Sequence, residues 1–244
     1  MEPVGLRQFL RRTVVRALDV PGLHYLEQHD ALYELRLLAF ARQRVTPSTV
    51  AFIGSSSIRV WRTLKADFEP VPVVNRGLGG SQLEHLIRYA DRLLDPTFAA
   101  IVLYGGDNDL AAGKAPEQVC RDWRTFLAQV DRRCPAVPTL LLNVKVSPTR
   151  EALAETIHRH NGLLRDVARD HRCTYLDVCT PMLGPNGRPR NSFFAWDGLH
   201  LSPRGYDLWS ALVWPVLEDL LAHGRPPGPR VTAVGDASSP APGR

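Results

Sequence analysis

A chain of 244 residues, 44% of them hydrophobic, suits one larger α/β domain or two small ones. No run of about eighteen apolar residues is present to span a membrane. The formal net charge of +5 is mild and forms no basic stripe with interleaved aromatics, which argues against a nucleic-acid partner.

The first segment, "MEPVGLRQFLRRTVVRALDV", has Arg7, Arg11, Arg12 and Arg16 where a secretory signal needs an uninterrupted apolar centre. Leu6, Phe9, Leu10, Val14, Ala17 and Leu18 fall near helical spacing. Three readings are open: a basic amphipathic helix in peripheral contact with a membrane surface, a helix docked on the domain, or a loosely ordered arm. From His24 to Gln43 the apolar positions predict a helix.

Five apolar runs then read as strands: Thr49 to Gly54, Val71 to Asn75, Ala99 to Tyr104, Thr139 to Val144 and, more weakly, Thr174 to Val178. Helix-period segments separate or follow them, at Ser81 to Leu94, Pro116 to Arg133, Arg150 to Asp170 and Pro203 to Ala222. This alternation predicts a parallel sheet covered on both faces. From Arg225 on, proline, glycine, serine and alanine predict a disordered tail. The expected organisation is therefore an arm and helix over 1–46, the main α/β domain over 47–223 and a tail over 224–244. Cys120, Cys134, Cys173 and Cys179 fit neither a zinc site nor a disulfide framework. Reduced thiols and no secretory signal predict the cytoplasm. Oligomeric state is not readable from the sequence.

Parallel sheets place ligands beyond the carboxyl ends of their strands. The first three strands are followed by Gly54-Ser55-Ser56-Ser57, Asn75-Arg76-Gly77-Leu78-Gly79-Gly80-Ser81 and Gly105-Gly106-Asp107-Asn108-Asp109. Before the last helix stands Asp197-Gly198-Leu199-His200. Ester hydrolysis needs a hydroxyl activated by a base, the base held by a carboxylate, and fixed donors for the oxyanion. One serine of Ser55, Ser56 and Ser57 can supply the hydroxyl. Asp197 and His200, three residues apart, can share one turn. Gly80 lets a backbone N–H come close, and the Asn108 amide offers another donor. Each piece alone also reads as a cap, a turn or a surface pair. Their order at successive strand ends is what favours chemistry.

The blocks "FIGSSSIRVW", "NRGLGGS", "LYGGDND" and "DGLHLS" together resemble the SGNH hydrolases, a branch of the GDSL-type esterases and lipases. The resemblance runs from about Val50 to Trp214. It implies a three-layer α/β/α sandwich around a central parallel five-stranded sheet of flavodoxin-like type. It also implies Ser56 as nucleophile, His200 as general base and acid, and Asp197 as the group orienting His200. The implied oxyanion hole is the Ser56 and Gly80 backbone N–H groups with the Asn108 side chain. Serine stands at position 55 where the family usually has aspartate; counting from Gly54 selects Ser56, and leaves Ser57 as an expected cap of the short helix toward Leu64. The expected substrate is a small-molecule or lipid ester, with no cofactor and no metal. Acyl transfer to another alcohol, or a binding module without chemistry, are the alternatives. An α/β-hydrolase is disfavoured because Ile58 stands where its Gly-x-Ser-x-Gly elbow needs glycine. His85, His158, His160 and His171 are expected at the surface. The loop from Thr180 to Ala195 is a candidate cover, and Phe193, Phe194 and Trp196 are read either as site lining or as core.

Overall fold

The computed structural model describes residues 30–224 and 231–232. The predicted arm, the first residues of the predicted first helix and most of the predicted tail lie outside the described residues. Five parallel strands form the centre: β1 (Val50–Gly54), β2 (Val73–Gly77), β3 (Ala100–Tyr104), β4 (Thr139–Leu142) and β5 (Thr174–Leu176). A two-residue strand, β6 (Val231–Thr232), adds to the β5 edge within the segment expected to be disordered. The strand order is β2-β1-β3-β4-β5-β6, all parallel.

Alternation along the strands builds two cores, because successive side chains leave opposite faces of a sheet. Ala51, Ile53, Ile101, Leu103 and Leu141 face one core. It is closed by α1 (Asp30–Phe40), α4 (Leu83–Arg88), α5 (Ala90–Leu93), α7 (Pro116–Arg133) and α8 (Ala154–Asp170). The buried residues of α7, among them Val119, Trp123, Phe126, Leu127 and Val130, recur at helical spacing, so one stripe meets the sheet. Val50, Phe52, Ala100, Val102, Leu140 and Leu142 face the other core. There α2 (Ser56–Arg59), α3 (Leu64–Asp67) and α9 (Pro203–His223) pack through Trp61, Phe68, Tyr206 and Trp209. The result is the expected three-layer α/β/α sandwich.

Several boundaries differ from the sequence reading. The predicted helix from Ser81 to Leu94 is two short helices meeting at Tyr89. The predicted helix from Arg150 opens as a 3₁₀ turn (Pro148–Leu153), where Arg150 itself leaves helical geometry. A short helix α6 (Asp107–Ala111) forms in what the sequence suggested was a loop or cap. Strand β2 begins two residues later than expected and runs to Gly77, so the glycine block starts inside the sheet. That register aligns Gly54 with Gly77 on one side and Tyr104 on the other. Three loops thus leave the sheet from one line. Gly54 is required there, since a Cβ would lie 2.0 Å from the Tyr104 carbonyl oxygen. The chain order reverses between β1 and β3, and such a switch point opens the crevice that binds ligands.

Candidate active site

The serine run, the Asp197–His200 turn, Gly80 and Asn108 all gather around this crevice. Ser56 opens α2 directly after β1. Its Oγ lies 2.9 Å from His200 Nε2, across 144 residues of sequence. His200 Nδ1 lies 2.5 Å from Asp197 Oδ2. The carboxylate only accepts, so Nδ1 carries the proton, Nε2 accepts, and the serine hydroxyl donates. Asp197 is itself fixed: its Oδ1 accepts from the Leu199 and His200 backbone N–H groups at 2.9 and 3.0 Å. Burial pulls the His200 pKa below its ordinary value, against the opposing hydrogen bond to Asp197, and so favours the neutral ring. Burial works against the Asp197 anion, yet its bonds to His200 and Leu199 hold its pKa below the usual carboxylate value.

The three serines take three different partners. Ser55 Oγ donates to Asp107 Oδ1 at 3.4 Å, Ser56 engages His200, and Ser57 Oγ accepts from Lys145 Nζ at 3.1 Å. The expectation that Ser57 caps the helix is therefore corrected: α2 starts at Ser56, and Ser57 is inside it, bound to a buried ammonium.

Residues 78–81 form a turn in which Ser81 N–H donates to the Leu78 carbonyl at 3.3 Å. Gly80 has a φ of 67°, which favours glycine there. Its N–H has no acceptor among the described residues. Leu78 N–H is tied to the Gly54 carbonyl at 2.8 Å, and the Ser81 carbonyl accepts from Asn108 Nδ2 at 3.0 Å. Gly80 is thus held between the serine loop and Asn108. The bond to Ser81 uses one of the two hydrogens of the Asn108 amide. The Ser56 N–H, at the first residue of α2, has no acceptor within its own helix.

Sequence reasoning missed the charged cluster behind these groups. Lys145 is only 2% exposed, and its Nζ donates to Ser57 Oγ, Tyr104 OH and Asp107 Oδ2 at 3.1, 3.1 and 3.3 Å. Those bonds use all three ammonium hydrogens. Arg150 Nη2 donates to Asn108 Oδ1 at 2.8 Å, while its Nη1 lies 3.1 Å from Asp107 Oδ2 as an ion pair without hydrogen-bond geometry. The guanidinium therefore spans two consecutive side chains and fixes which face of the Asn108 amide is the donor. Burial opposes the Asp107 charge, but Lys145 and Arg150 outweigh it and bring its pKa down to about 2. Nothing in the sequence marks Lys145, because a single lysine after an apolar strand ordinarily reads as a surface residue.

The expectation that His160 lies at the surface is corrected. His160 is fully buried and its pKa is lowered to about 4 by burial, so it is a neutral core residue rather than a surface one. His85 is partly buried, and its Nδ1 accepts from the Gln82 N–H at 3.1 Å; His171, also partly buried, pairs with Asp131 at 2.7 Å. His158 is exposed. Phe193 and Phe194 belong to the core beneath α9, whereas Trp196 is 86% exposed. The four cysteines are buried and unpaired. Among the described residues, no group of three or more His, Cys, Asp or Glu could hold a metal ion, and no helix is long and apolar enough to cross a membrane.

A parallel sheet of this order, with a Ser-His-Asp chain at its switch point, defines an α/β/α protein with a serine hydroxyl set against a histidine ring. The profile of the GDSL-like Lipase/Acylhydrolase family matches residues 50–208, and the chain belongs to that family. It is an SGNH-type ester hydrolase. A comparison with curated protein sequences finds no match. Among solved structures, a GDSL-like lipase from Bacteroides thetaiotaomicron is 19% identical with a TM-score of 0.64, covering 78% of this chain and 98% of its own. A Streptococcus pneumonia protein provisionally described as a platelet activating factor is 22% identical with a TM-score of 0.70, covering 80% and 94%. A Clostridium thermocellum family 3 carbohydrate esterase is 16% identical with a TM-score of 0.56, covering 71% and 96%. Identities this low establish the shared fold alone.

Proposed function

We propose that the chain cleaves carboxylic esters, short acyl or acetyl esters of a lipid, sugar or small molecule, through an acyl-serine intermediate at Ser56. The observation that carries this reading is the continuous chain from Ser56 Oγ through His200 to Asp197, at 2.9 and 2.5 Å. Ser56 Oγ attacks the ester carbonyl while His200 Nε2 takes its proton. Asp197 holds the ring in the required tautomer and stabilises the imidazolium that forms. The Ser56 and Gly80 N–H groups and Asn108 Nδ2 bind the oxyanion of the tetrahedral intermediate. His200 then returns the proton to the departing alcohol. Water attacks the acyl-serine with His200 again as base, releasing the acid and restoring Ser56. No step calls for a metal or cofactor.

The test is turnover of p-nitrophenyl acetate, butyrate and octanoate by the wild type and by Ser56→Ala, Ser55→Ala and Ser57→Ala. Ser56→Ala is expected to lower kcat by about 10⁵-fold or more, as loss of a nucleophile does in serine hydrolases. The other two variants retain turnover. Undiminished turnover by Ser56→Ala would remove the acyl-serine reading. The trend with acyl length measures the space available to the acyl chain.

A further inference from the structure

The geometry points to Tyr33, on α1 and outside the 50–208 family match, as the positioning residue for the Gly80 oxyanion donor. This rests on the acyl-serine reading above. Tyr33 is fully buried, and its hydroxyl donates to the Gly79 carbonyl at 2.9 Å, across 46 residues. The Gly79 carbonyl and the Gly80 N–H belong to one planar trans peptide, so they point in opposite directions. Fixing the oxygen fixes the direction of the N–H.

That peptide needs an external restraint. It is the central peptide of the turn over residues 78–81, closed by Ser81 N–H to the Leu78 carbonyl. The positive φ of 67° at Gly80 is what a type II turn requires at its third residue. Types I and II differ chiefly by a flip of this central peptide. Glycine on both sides gives the flip its lowest steric barrier. In the flipped form the Gly80 N–H points away from the hole and a carbonyl oxygen takes its place, an acceptor where the oxyanion needs a donor. The turn's own closing bond joins residues 78 and 81 and leaves the central peptide free to flip. The Tyr33 hydroxyl selects one orientation. Its ring is held edge-on to His85 and Tyr89, at centroid distances of 5.1 and 6.2 Å, so the hydroxyl has a fixed origin. Arg36, one turn further on, donates to the Gly77 carbonyl at 3.2 Å and anchors α1 to the start of the same loop.

Tyr33→Phe removes the hydroxyl and keeps the ring. It is compared with the wild type, Ser56→Ala and Asn108→Ala in three readouts: kcat and KM for p-nitrophenyl butyrate, the rate of Ser56 phosphonylation by a fluorophosphonate, and the thermal midpoint. An oxyanion donor lost outright costs about 10²–10³-fold in kcat, so one misdirected part of the time is expected to cost about tenfold. KM stays within about twofold, and phosphonylation slows by a factor similar to that of kcat, since both reactions place an anionic oxygen in the same hole. A lower thermal midpoint with unchanged kcat and phosphonylation makes Tyr33 purely structural and overturns the proposal. A raised KM with unchanged kcat also overturns it. The parent reading fails separately: the wild type is not labelled, or Ser56→Ala is still labelled, and the Tyr33 proposal falls with it. Labelling abolished in Ser56→Ala beside wild-type behaviour in Tyr33→Phe sinks the Tyr33 proposal alone.

Discussion

Two carboxylates flank the serine run, and they are held in opposite ways. Asp197 lies three residues from its partner His200, on one turn, and is partly exposed. Asp107 is buried, and its partners Lys145 and Arg150 come from beyond β4, 38 and 43 positions along the chain. The first arrangement is local, and in the proposed mechanism the ring it orients exchanges protons with Ser56 and the substrate. The second arrangement is sealed. It fixes Ser55, Ser57 and Asn108 around the crevice without itself meeting Ser56 Oγ. A carboxylate near a nucleophile can therefore serve chemistry or architecture. The partner, more than the distance to the serine, decides which.

Replacing each carboxylate with its amide separates the two arrangements most sharply. Asp197→Asn is expected to lower kcat by about 10⁴-fold, because the ring loses the acceptor that sets its tautomer. Its thermal midpoint stays close to wild type, since a partly exposed group is removed. Asp107→Asn strands Lys145 and Arg150 in the interior without their counter-charge. It is expected to destabilise the fold by about 3–5 kcal/mol, read by chemical denaturation, while the folded fraction still turns over ester. Large stability loss in Asp197→Asn, or none in Asp107→Asn, would undo the division of labour.

Lys145 and Asp107 are expected to act on His200 through charge, and a pH profile measures it. A general base must be neutral, so activity rises as His200 loses its proton. Burial lowers the His200 pKa from 6.5, so the acidic limb of kcat/KM is expected to have its midpoint below pH 6.5. The Lys145 charge lowers that pKa and the Asp107 charge raises it. Lys145→Met should therefore move the limb to higher pH, and Asp107→Asn should move it to lower pH. A limb that stays put in both variants would show that the cluster is electrically silent at His200. The smallest effect is expected at Trp196, next to Asp197 and 86% exposed. Trp196→Ala should change stability by no more than about 0.5 kcal/mol, so any change in the acyl-length trend reports contact with substrate rather than packing.

The alternation of apolar strands and amphipathic helices was legible in the amino acids, because burial on both faces of a parallel sheet leaves uninterrupted apolar runs. The sequence also showed which short blocks stand at strand ends, and that Asp197 and His200 can share a turn, since these follow from order and spacing along the chain. It placed Ser56, Gly80 and Asn108 in candidate roles before any distance was known. The three different partners of Ser55, Ser56 and Ser57, and the placement of Lys145, Arg150 and Tyr33 behind them, appear only once the chain is folded. The physical reason is separation. Ser57 meets Lys145 across 88 residues, Asn108 meets Arg150 across 42 and Gly79 meets Tyr33 across 46. None of those pairs leaves a periodic or local signal. A buried lysine and a surface lysine are the same letter until the fold supplies Asp107, Tyr104 and Ser57 around it.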